Sequence, residues 1–177
     1  LWLCRWQKYP GGIWSCRFFR HGRTDLPSQP RLHRWLNGPN NRNPRMANKE
    51  KLRSLINLEG VGLEIGPSFD PVVAKCDGHQ VEVLDHLSAA DLRRKYQDAP
   101  NVDLSRIEEV DYVSDGGSIL ELIGKRGHYD YIVASHVIEH TVDLLGFLSD
   151  CEQLLKPSGV LALAIPDNST EIDFNTN

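Results

Sequence analysis

A doubly wound, mostly parallel α/β sheet is the architecture this sequence predicts, and three observations predict it. Residues 61–65 form a short apolar run, punctuated by Glu64 and closed by Gly66, which reads as a buried strand entering a turn. A second run, 81–84, delivers Asp85 at its carboxyl end, 19 residues beyond Gly66. Two further runs, 129–135 and 160–165, are almost uninterrupted in apolar character, as parallel strands covered on both faces are. Helical patterns separate these strands, so β and α alternate along the chain.

The elements follow in order. After Met46, the residues ANKEKLRSLINLEG read as an amphipathic helix leading into the first strand. Beyond Gly66 come Pro67, Ser68, Phe69, Asp70 and Pro71; Asp70 as N-cap and Pro71 as first helical residue predict a short helix. Ser88 with Asp91 resembles a capping box for a helix running to about Tyr96. A third strand is predicted within 107–113, and Ser118 with Glu121 starts a short helix ending at Gly124. The fourth strand, 129–135, leaves a loop bearing His136, Glu139 and His140. Thr141 or Asp143 caps a helix whose core-facing stripe is Leu144, Leu145, Phe147, Leu148, Cys151, Leu154 and Leu155. Lys156-Pro157-Ser158-Gly159 stops it before the fifth strand, which ends at Pro166.

A carboxylate after the second strand, opposite a glycine turn, is how an adenosine-bearing cofactor is held in such a sheet. A dinucleotide needs G-x-G-x-x-G, yet the positions two and five after Gly66 are Ser68 and Pro71. A cofactor without pyrophosphate needs only a tight turn and a carboxylate for the ribose diol. With Glu64, Gly66 and Asp85 so placed, residues 61–86 resemble class I S-adenosylmethionine-dependent methyltransferases. HVIEHT and LLKPSGVLALAIPD (154–167) resemble the later part of the same proteins, so the resemblance spans 61–167. The departure is in the turn: the family usually has two or three glycines where this chain has Gly66, Ser68 and Asp70.

The resemblance implies a Rossmann-like, three-layer αβα fold with strand order 3-2-1-4-5, the last of the family's seven strands being missing. It implies S-adenosyl-L-methionine as cofactor, lined by Glu64, Gly66, Pro67, Ser68, Asp85, His86, Asp115, Ser135 and His136. Asp115 stands where the family often meets the adenine amino group; before two glycines it equally reads as the start of a turn. Methyl transfer to a neutral hydroxyl needs a base, for which a histidine titrating near neutrality suits. His140 is the candidate, with Asp167 to orient it or touch the acceptor. The expected acceptor is a small molecule or a glycan hydroxyl. The alternatives are a catalytically silent cofactor-binding relative and, on His136-Val137-Ile138-Glu139-His140, a zinc hydrolase with the H-x-x-E-H signature. The motif leaves a strand instead of lying in a long helix, so no metal site is expected.

Charge divides the chain. Residues 1–45 hold nine of the 20 Lys and Arg but only one of the 24 Asp and Glu, Asp25, so they are net +8 and the rest net −12. All four tryptophans lie in the same stretch. It reads as a basic leader, disordered or not native, ahead of a methyltransferase domain over 46–177 that looks incomplete at its carboxyl end. The acidic body argues against a nucleic-acid partner, which would need cations facing phosphates. No run approaches 18 apolar residues and no signal peptide is evident, so neither a membrane partner nor export is expected and a cytoplasmic location is the default. Cys4, Cys16, Cys76 and Cys151 form no C-x-x-C pair and read as reduced packing residues.

Overall fold

The computed structural model describes residues 2–9, 13–20 and 44–166. A seven-stranded sheet carries the architecture: β1 (Trp2–Tyr9), β2 (Ile13–Arg20), β3 (Gly62–Ile65), β4 (Val81–Asp85), β5 (Tyr112–Val113), β6 (Tyr129–Ser135) and β7 (Leu155–Ile165), in the order β2-β1-β7-β6-β3-β4-β5. From β5 to β7 all neighbours are parallel. Numbered from the first parallel strand, these five stand in the expected order 3-2-1-4-5. Helices α1 (Pro44–Ser54), α2 (Ala89–Tyr96), α3 (Ile119–Ile123) and α4 (Leu144–Leu154) flank them.

Alternation along the central strands explains the layers. On one face Leu63, Ile65, Ile132, Ala134, Leu161 and Leu163 pack with Ile119, Leu120 and Ile123 of α3 and Phe147, Cys151 and Leu154 of α4. On the other, Tyr131, Val133, Ala162 and Ala164 meet Leu52 of α1 and Val72 and Val73 of the loop after β3. With both faces covered, nearly every strand position must be apolar.

Local signals place the helix starts. The Ser88 hydroxyl accepts the Asp91 N–H, the Ser118 hydroxyl accepts that of Glu121, and the Asp143 carboxylate accepts that of Gly146. Gly124 closes α3 in the left-handed conformation at φ +70°.

Four expectations need correction. First, β1 and β2 lie inside the stretch read as an unstructured leader. They form an antiparallel hairpin whose β1 pairs with β7 from Trp2↔Ile165 to Gln7↔Val160. The reason is the free edge of β7: a row of unpaired backbone groups there takes a partner strand, and Pro10-Gly11-Gly12 separates the two runs that supply it. Trp6 packs against the core beside them. α1 also begins at Pro44, ahead of Met46, with proline at a position that needs no N–H donor.

Second, no helix follows Asp70. The Glu64 carboxylate takes the N–H groups of Val72 and Val73, and α1 takes the facing carbonyls: Lys49 donates to Pro71 O at 2.9 Å and Arg53 to Val72 O at 2.5 Å. Lys49 also bonds the Asp70 carboxylate. The N–H groups would be unpaired in a first helical turn anyway, but the Pro71 and Val72 carbonyls are drawn to α1 instead of to the chain ahead, and only a 3₁₀ turn at Lys75–Asp77 forms. Third, β5 has two residues, because Ile107 instead turns into a small cluster with Ala89 and Leu92. Fourth, Leu144 and Leu145 do not face the core; they are 43% and 78% exposed.

Candidate functional site

The carboxyl ends of β3, β4 and β6 define one rim. Parallel register sets Ile65 beside Leu84 and Ala134, so Gly66, Asp85 and Ser135 leave the sheet at one level. The Gly66 N–H donates to Leu84 O at 2.8 Å. Gly66 sits at φ +66°, and a Cβ there would meet Val137 at 2.8 Å. Both the conformation and the close approach of the loop after β6 therefore require glycine.

Ser68 and His136 are the non-glycine residues with positive φ among the described residues, at 50° and 57°. Both stand on this rim, one in each loop that borders it. Left-handed backbone at such residues costs roughly 1–3 kcal/mol and clusters at functional sites.

Asp85 is the buried charge of the rim, 1% exposed. Its Oδ2 accepts the Ser68 N–H at 2.8 Å, and its Oδ1 accepts the His86 N–H at 2.7 Å. The His86 ring approaches the same Oδ1 with Nδ1 at 2.5 Å, and Lys95 Nζ lies 3.0 Å from its Nε2. The end of α2 thus reaches the carboxylate through the imidazole. The neighbouring Tyr96 meets Phe69 of the glycine turn edge to face, with centroids 4.8 Å apart. Beneath these groups, Pro67, Ser68, Asp85, Arg106 and Glu108 line a narrow crevice without room for a water molecule.

Glu64 lies below the rim, not on it. It is 1% exposed, with Val72 N–H at 2.6 Å and Val73 N–H at 2.7 Å on its two oxygens. Burial pushes its pKa up to about 7, against the pull of those two amides and of Lys49. Its geometry is that of a residue that shapes the loop. Asp115 is exposed, and its carboxylate accepts the Gly117 N–H at 3.0 Å, so the turn reading of that residue describes its contact.

Beyond β6, His136 is half exposed with Nδ1 3.5 Å from Glu139. His140 is exposed on the 3₁₀ turn Ile138–His140, its N–H on Val137 O. The two histidines therefore do not stand one α-helical turn apart, as the zinc signature requires. Among the described residues no three His, Cys, Asp or Glu side chains converge as a metal site would. Asp167 lies outside the described residues. What residue spacing left unseen is Lys95, which reaches the site only through the packing of α2.

Residues 42–175 match the family model described as Methyltransferase domain. The chain belongs to this methyltransferase-domain family. A stretch of 46 residues is 41% identical to the ubiquinone biosynthesis O-methyltransferase of Rhodopseudomonas palustris, covering 26% of this chain and 18% of that protein. A SAM-dependent methyltransferase from Thermotoga maritima is similar in structure at TM-score 0.49 and 19% identity, over 70% of this chain and 52% of that one. Another from Aquifex aeolicus gives 0.46 and 18%, over 66% and 62%. The chain thus spans under a fifth of the curated relatives it matches and about half of the first of these two solved structures.

S-adenosylmethionine is the methyl donor of this methyltransferase domain. The rim fits such a group: a carboxylate buried at a strand end, and beside it a glycine turn that a Cβ would block. Among the described residues no helix is long and apolar enough to cross a membrane.

Proposed function

We propose that the domain moves a methyl group to the oxygen of a small-molecule or sugar acceptor. Bound at the rim, S-adenosylmethionine supplies a methyl group already activated by its sulfonium. Asp85 would accept from the ribose hydroxyls, and the Gly66–Ser68 turn would hold the methionine part. Ser135, His136 and Val137 close over the reacting end and exclude water. His140 removes the proton of the acceptor hydroxyl, with Asp167 as its orienting partner. Glu64 acts at one remove, by holding the loop that ends the glycine turn. The choice of oxygen is supported by the name of the Rhodopseudomonas relative, an O-methyltransferase. An acceptor other than nucleic acid belongs to the same proposal, on the acidic charge of residues 46–177, and so does a cytoplasmic setting.

The observation that carries the reading is the buried Asp85 carboxylate level with Gly66 at the ends of two paired parallel strands. Calorimetric titration of S-adenosylhomocysteine into the full chain tests it. Asp85→Ala is expected to weaken binding by about 1.5–3 kcal/mol, the worth of hydrogen bonds to a charged acceptor. Asp85→Asn, checked for intact unfolding, separates lost charge from lost shape. Equal affinity in all three proteins would remove Asp85 from the site. Tight binding without methyl transfer to any hydroxyl acceptor would favour the silent relative.

A further inference from the structure

The Asp85 side chain is 0% exposed, while the His86 ring that rests on it is 52% exposed. The carboxylate is therefore closed off from solvent, and the exposed His86 ring is part of its cover. The contacts around it form one line. Lys95 Nζ, which has only hydrogens to give, stands 3.0 Å from His86 Nε2. The ring therefore carries its proton on Nδ1 and donates it to Asp85 Oδ1 at 2.5 Å. With the Ser68 and His86 N–H groups, Asp85 already accepts three hydrogen bonds. A carboxylate has about four such positions, so a vicinal diol cannot take two of them while the ring stays.

We propose that Lys95 and His86 form an autoinhibitory latch, in which the imidazole occupies on Asp85 the place of one ribose hydroxyl of the cofactor. The proposal rests on the cofactor reading above and adds its control. Binding requires the ring to leave Oδ1, and Lys95, by holding Nε2, opposes that departure. The latch is anchored by α2: Tyr96, next to Lys95, packs on Phe69 of the opposite wall of the site. His86 is then a positioning residue whose removal helps the cofactor, the reverse of what a ligand-stacking residue would show.

Two measurements on the full chain test this. In the first, S-adenosylhomocysteine is titrated into the wild type, Lys95→Met, His86→Ala and the double variant. Each single variant is expected to bind about fivefold more tightly, the worth of one net hydrogen bond to be displaced. The double variant should bind no better than His86→Ala, because both changes act on one line. Weaker binding in both single variants would overturn the latch and make His86 a cofactor ligand. Binding by none of the four proteins would overturn the cofactor reading, and the latch with it. In the second, imidazole nitrogen-15 spectra of the free protein should show His86 protonated on Nδ1 and altered by Lys95→Met. A proton resident on Nε2 would overturn the latch with no cofactor present, and so independently of the cofactor reading.

Discussion

The two sides of the rim are built by opposite means. On the β3–β4 side the charged groups point inward and are tied to backbone: Glu64 to Val72 and Val73, Asp85 to Ser68 and His86. On the β6 side His136 and His140 face solvent, and the chain after them exposes Val142 (104%), Leu144 (43%) and Leu145 (78%). Buried carboxylates tied to backbone keep fixed positions, as a ligand of constant shape requires. The β6 side, where the acceptor is proposed to enter, carries its polar groups on an exposed loop and helix start, where residues can vary without disturbing the sheet.

The seam between the two sides is the β3–β6 pair, and Gly62 lies in it. A Cβ at Gly62 would fall 2.1 Å from the ring of Tyr131, itself 0% exposed. Gly62→Ala is therefore expected to destabilise by more than about 3 kcal/mol, since the ring has no room to retreat in a filled core. Urea unfolding measures this. A loss below about 1 kcal/mol would mean that the two sides adjust to one another freely.

A smaller effect separates the sides by pH. Burial raises the Glu64 pKa from 4.5 to about 7. Between those values the folded chain keeps a proton that the unfolded chain has released, so stability falls as pH rises through that window. The size is on the order of 3 kcal/mol for a fully buried group. Unfolding at pH 5 and pH 7.5 should show the decline, and Glu64→Gln should remove most of it. The same decline in the variant would assign it to other groups.

These contrasts explain what was legible in the sequence. The parallel strands were, because covering both faces leaves few polar positions. The caps at Ser88, Ser118 and Asp143 were, because each bond closes within three residues. The places of Gly66 just past β3 and of Asp85 at the end of β4 were legible from the apolar runs that lead to them. The helix predicted after Asp70 failed because Lys49 and Arg53, distant in sequence, claim its first carbonyls. The hairpin was hidden because Arg and Lys interrupt its apolar runs, although the sequence Pro10-Gly11-Gly12 stands between two strand-like stretches. Lys95 could not be foreseen, since only the docking of α2 brings it to His86.

The smallest effect sharpens the comparison on its open side. In α4, Phe147, Cys151 and Leu154 are buried on the helix face toward β6 and β7, while Leu145 points away at 78% exposure. Helical spacing accounts for this: 147, 151 and 154 share a stripe and 145 lies off it. Leu145→Ser should therefore change stability by less than about 0.5 kcal/mol, as surface substitutions do. It should also leave affinity for S-adenosylhomocysteine unchanged, because the cofactor contacts proposed here lie on the other side of the rim. Leu154→Ala, by contrast, empties a position that is 0% exposed and should cost about 2–5 kcal/mol. Urea unfolding of the two variants side by side gives the comparison. A loss above about 1 kcal/mol in Leu145→Ser would mean that the start of α4 is covered in solution, and that the β6 side of the rim is less open than the exposures imply.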